Sequence, residues 1–143
     1  MVKMDQRAQI SVEYILLVAI VLTIVLVFSL IITNENEQNN VATAAQLGAA
    51  NASANIVLTN SSQSPIRVTS VSMTNGTTRG SDINVVIHFS RPVGDQGGAI
   101  FSSIIKSFTS SGFTNISSNS TTVIVTTSTT SGGTTHRYFI TLA

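Results

Sequence analysis

Apolar and polar positions divide this chain sharply. Residues 14–32 read YILLVAIVLTIVLVFSLII, 19 residues without a charge, interrupted only by Thr23 and Ser29. A helix of that length is about 28 Å long at roughly 1.5 Å per residue, close to the hydrocarbon thickness of a bilayer. A core helix of a globular domain would carry a polar stripe, and this run has none. Residues 34–40 turn polar, with Glu35 and Glu37, and residues 41–58 are Ala-rich, a composition that extends the helix. Leu47, Ala50, Ala54 and Leu58 fall at i, i+3, i+7 and i+11, one face that is expected to pack on whatever follows. Gly48 and the Asn-rich stretch 36–40 weaken this helix and permit bending, and Asn60-Ser61-Ser62-Gln63-Ser64-Pro65 ends it.

Beyond residue 59 the period shortens. Ile83, Val85, Ile87 and Phe89 alternate with Asn84, Val86 and His88, the pattern of a half-buried strand. Residues 65–73 also read as a strand, but Ile66 and Val68 lie on one parity and Val71 and Met73 on the other. A bulge near Thr69-Ser70 reconciles them. Residues 122–127 and 135–142 are two more predicted strands, joined by a turn containing Gly132-Gly133. Between the strands, Ile100, Phe101, Ile104, Ile105 and Phe108 recur with a helical period, with Asp95 or Gln96 near the start and Gly112 after the end. The predicted fold class is α+β: a long N-terminal hydrophobic helix packed on a small antiparallel sheet with one short amphipathic helix.

Composition sharpens the division. Residues 59–143 carry 33 Ser or Thr in 85, only 7 charges, and 26 apolar residues, a modest core that packing against neighbouring subunits would support. The whole chain has a formal net charge of +1, 9% charged residues and no cysteine. Disulfides and thiolate metal sites are therefore excluded, and a basic nucleic-acid-binding face is not expected. Lys3 and Arg7 precede the apolar run while Glu35 and Glu37 follow it, which places the N-terminus inside and the large domain outside. An ordinary secretory signal has an apolar region of only about 7–15 residues before its cleavage site. Ala42-Thr43-Ala44 fits such a site, but it lies ten residues beyond the run. A permanent single-span anchor is the plainer alternative.

Just before the run stands Arg7-Ala8-Gln9-Ile10-Ser11-Val12-Glu13-Tyr14-Ile15-Leu16-Leu17. A carboxylate at the front of a membrane span is costly and usually functional, although one near the interface can snorkel. The pattern Gln9-x-Ser11-x-Glu13-x-x-x-Leu17 resembles the start of archaeal type IV pilins with class III signal peptides, and most closely the methanogen-type Gln-x-Ser-x-Glu subset. The resemblance covers roughly residues 1–40, and the rest of the chain carries no such signature.

The resemblance implies that a membrane prepilin peptidase cuts between Ala8 and Gln9, reading Gln9, Ser11 and Glu13. Residues 1–8 would leave as a leader. Residues 9–58 would form the long helix, with 14–32 as transmembrane segment and filament core, and residues 59–143 the extracellular domain. Loss of Lys3, Asp5 and Arg7 leaves five basic and five acidic residues. In the family, the Glu at the position of Glu13 pairs with the new α-amino group of a neighbouring subunit, unless the N-terminal Gln cyclises. Two unit charges at about 4 Å attract by roughly 4 kcal/mol at an effective dielectric of 20, so such a pair selects one axial register. The implied partners are further copies in a helical homopolymer, the pilus assembly ATPase and its membrane platform, and the membrane before assembly.

Catalytic chemistry is not legible. There is no nucleophile elbow, phosphate-binding loop or metal-ligand cluster, and no cofactor is expected. Gly94-Asp95-Gln96-Gly97-Gly98 has the composition to cradle an anion at a helix start but reads more simply as a loop. His88 and His136 fall in predicted strands as structural or surface residues, and Asp82 and Asp95 read as a turn residue and a helix cap. Five Asn-x-Ser/Thr sequons occur, at Asn51, Asn60, Asn75, Asn115 and Asn119. All but Asn51, which lies on the long helix, fall in or near predicted turns on the exported side, where a glycosyltransferase can act. The expected function is that of a surface-filament pilin serving adhesion; the alternatives are an archaellin or minor pilin, or a monomeric membrane-anchored binding protein.

Overall fold

The computed structural model describes residues 6–59, 62, 64–77, 81–128 and 135–143; the side chains of residues 6–11, 30, 33 and 34 are not among the described groups. Asn60 and the Gly132-Gly133 turn lie outside the described residues. Helix α1 runs Gln6–Thr59, followed by β1 Val68–Asn75 and β2 Asp82–Phe89. A 3-10 turn, Gly94–Gln96, leads into α2 Gly97–Ser110, and β3 Ile116–Ser118, β4 Val123–Ser128 and β5 Thr135–Leu142 complete the chain. Two compact units result, Met1–Asn39 and Asn40–Ala143, and α1 contributes residues to both.

In the second unit, a five-stranded sheet has the order β1-β2-β5-β4-β3. The architecture is α+β, but the sheet is mixed rather than antiparallel, because β2 and β5 pair in parallel, Asp82 opposite Arg137 and Ile87 opposite Leu142. The reason is topological. Helix α2 carries the chain back after β2, so β3 starts in the direction of β2. Two reversals, β3 to β4 and β4 to β5, then bring β5 back parallel to β2. The expected irregularity in β1 is present, as the register with β2 shifts between Val68 and Ser70.

One face of the sheet is covered. Ile83, Val85, Ile87, Val123, Val125, Tyr138 and Ile140 are buried there against Ile100, Ile104 and Phe108 of α2 and Val41, Ala44, Ala45, Ala49 and Ala52 of α1. The α1 face that enters this core is not the expected one. Leu47 and Leu58 are 52% and 81% exposed, and Ala50 and Ala54 are also exposed. Small residues win because they let two helix backbones meet. A Cβ added at Gly48 would stand 2.6 Å from the Ile104 Cα and 3.0 Å from the Ser103 carbonyl oxygen. Gly48, read from sequence as a weak point of α1, is therefore a contact point between helices.

Helix α2 ends by a local hydrogen-bond pattern. The Phe113 amide donates to the Phe108 carbonyl and the Gly112 amide to that of Thr109, each at 3.1 Å. Gly112 sits at φ +91°, and the Phe108 and Phe113 rings meet edge to face at 5.3 Å. This is a Schellman ending with its apolar clasp, and a left-handed position there favours glycine. Gly112→Ala is expected to cost about 1 kcal/mol, read as a lower midpoint in thermal unfolding. At the other end Gln96 occupies the N-cap without a side-chain cap bond, and Asp95 lies in the 3-10 turn, so neither caps α2.

Candidate processing and assembly segment

The segment that carries the pilin-like motif is the front of α1. Ala8, Gln9 and Ser11 lie on its helical backbone, and the side chain of Glu13 is exposed. Directly behind it, Val12–Ser29 has a mean hydropathy of 2.7, and none of its residues is buried. It is the one described helix long and apolar enough to cross a membrane. Thr23 does not spoil it, because its hydroxyl donates to the Ala19 carbonyl at 2.8 Å, which removes an unsatisfied donor from an apolar surrounding.

Residues 6–32 match the family model described as the class III signal peptide, a segment that is the hallmark of archaeal type IV pilins and related proteins. No curated protein and no solved structure matches the chain. A segment of this class supports a pilin-like or archaellin-like secreted subunit, handled by a prepilin peptidase, held in the membrane and then displayed at the surface.

The sequons sit in different settings. Asn51 is exposed, but the hydroxyl of its partner Ser53 is buried and donates to the Ala49 carbonyl at 2.9 Å, inside an unbroken helix. Asn75 is the exposed last residue of β1, and Asn115 is exposed in the loop before β3. Asn119, just after β3, accepts from the amides of Thr121 and Thr122 at 2.9 and 2.7 Å, an Asx turn on the exposed surface. Asn115 and Asn119 thus bracket the three-residue strand at one margin of the sheet.

The other candidate side chains have structural settings. Asp82 is not a turn residue. It is the buried first residue of β2, and its two carboxylate oxygens accept from Arg137 Nε and Nη2 at 2.9 and 2.8 Å. The hydrogen bond and charge of Asp82 raise the Arg137 pKa, so the arginine side of this pair stays charged at neutral pH and loses its contribution as pH rises into strong alkali. The Arg137 guanidinium also lies 5.3 Å from the Phe139 ring centre. Composition singled out neither partner as a pair, because their meeting depends on the parallel pairing of β2 with β5. His88 Nε2 lies 3.3 Å from the Ser72 hydroxyl, and His136 packs edge-on to Tyr138 at 6.3 Å. The recess at Gly94–Gln96 holds both Arg91 and the Asp95 carboxylate, a poor setting for an anion. Among the described residues, no group of three or more His, Asp or Glu side chains is placed to hold a metal.

Proposed function

We propose that this chain is the structural subunit of an archaeal type IV pilus-like surface filament. It is cut between Ala8 and Gln9 and polymerises through α1, with an adhesive outer domain. The observation that carries this reading is the coincidence of the class III match at residues 6–32 with an apolar helical run, Val12–Ser29, none of whose residues is buried among the described residues. Lipid tails are about as apolar as leucine, so exchanging lipid for neighbouring helices changes little hydrophobic energy. Such near balance permits a motor to draw subunits out of the membrane. A monomeric anchor has no need of Glu13, and the Glu13 pattern favours a pilus subunit over an archaellin.

N-terminal sequencing of the exported chain tests the reading, because a pilin starts at Gln9 and an anchored protein at Met1 or Val2. Ala8→Trp is expected to leave an uncut precursor in the membrane and no filaments. Filaments of ordinary yield that retain residues 1–8 would refute processing as proposed.

N-glycans are the second part of the proposal. Asn60, Asn75, Asn115 and Asn119 are the acceptors, while the helical setting and engaged Ser53 hydroxyl disfavour Asn51. Mass spectrometry of native filaments is expected to find added mass on at least one of these four. Complete coverage by unmodified peptides would remove the claim.

A further inference from the structure

We infer that the outward face of α1 in the second unit, with the groove beside it, is a docking surface for α1 of a second copy, with Glu35 of the incoming helix set against Arg67. This inference rests on the filament reading but names a contact outside the apolar run. Residues 38–59 of α1 contain no charged side chain, yet this stretch leaves Leu47 and Leu58 52% and 81% exposed. A helix face that stays in water normally carries charge. Next to it, a groove of about 570 Å³ is lined by Ala50, Ala54, Leu58, Pro65 and Val68, and among the described residues along it Arg67 alone is charged.

The occupant must therefore offer apolar side chains followed by an acid. In this chain, α1 itself has that order: the exposed Val12–Ser29 run and then Glu35, also exposed. The other acids of the mature chain have other settings. Asp82 is held by Arg137, Asp95 lines the recess with Arg91, and Glu37 already has an interaction. Glu13 is the proposed partner of the new amine.

Charge reversal tests the pairing, since like charges brought together at an interface cost more than a lost surface pair contributes. Arg67→Glu and Glu35→Arg are each expected to cut filament yield by about tenfold, with cleavage and membrane content unchanged, and the double variant to recover at least about half of it. Normal yield from both single variants, or a double variant no better than either, would overturn the inference.

The chain lacks cysteine, so a second arm is clean. Ile32→Cys with Leu58→Cys, treated with a short bismaleimide in filaments and in membranes, is expected to give a ladder beyond dimers, whereas each single variant stops at dimers. A double variant that gives no link between copies in either preparation means lipid or another partner covers the face, and the inference fails. A ladder in membranes from a chain that keeps residues 1–8 and forms no filaments would uphold the docking and sink the filament reading.

Discussion

Glu13→Ala is expected to leave a chain that enters the membrane normally and almost never becomes filament. Insertion survives because the change only makes the front of the span more apolar. Assembly fails because a recruited subunit can no longer offer a carboxylate to its neighbour's new amine. Removing one partner of a buried pair costs about 3–5 kcal/mol, or roughly two to three and a half powers of ten in each subunit's equilibrium. A transfer between lipid and a bundle of like helices has too little favourable energy in reserve to absorb that. Glu13→Asp keeps the charge but shortens its reach and is expected to give an intermediate yield. Filament counts by electron microscopy, set against the amount of processed chain in the membrane, decide the matter. Wild-type counts from Glu13→Ala would make Glu13 a snorkelling interface residue and end the proposed mechanism.

Gly48→Val is expected to have the largest effect on the folded domain. A glycine in a helix interior costs roughly 1 kcal/mol relative to alanine, so on propensity alone a replacement would help. Geometry reverses the sign. The added Cβ would lie 2.6 Å from the Ile104 Cα and 3.0 Å from the Ser107 Cβ, and helix backbone cannot give way as a flexible side chain can. Even alanine is expected to cost about 1–3 kcal/mol, the usual range for overpacking, and the branched side chain of valine more than about 3 kcal/mol. For a domain of this size that is a loss of at least about 10 °C in thermal midpoint. The full chain in detergent, followed by circular dichroism, provides the measurement. A midpoint for Gly48→Val within a degree or two of wild type would show that the α1–α2 contact is not close-packed.

The same glycine shows where the sequence was readable and where it was not. The apolar run, the alternation of residues 83–89 and the helical period of α2 are local patterns, and each became the element it predicted. The front motif was equally local, and the class III match falls on the same residues. The buried face of α1 was misread because Leu47 and Leu58 outweigh alanine in any count of apolarity. The real signal was the spacing of four in Ala44, Gly48 and Ala52, which marks close approach rather than bulk. The parallel β2–β5 pair and the Asp82–Arg137 bridge depend on contacts 55 residues apart, which no window along the chain reveals. Strand β3 has only three residues, too few to show a period.

The margins of the sheet have a consequence for a protein that would live at very high local concentration. Open strand edges invite pairing with any other chain, and crowded copies would then aggregate into random sheets. Here one margin is the three-residue β3, flanked by sequons at Asn115 and Asn119. The other is β1, whose ladder is broken between Val68 and Ser70. A short edge and an irregular edge are two common defences against sheet fusion. On the filament reading proposed above, they leave a helical surface as the sticky part of the molecule, so that crowding would favour ordered polymer over amorphous clumping.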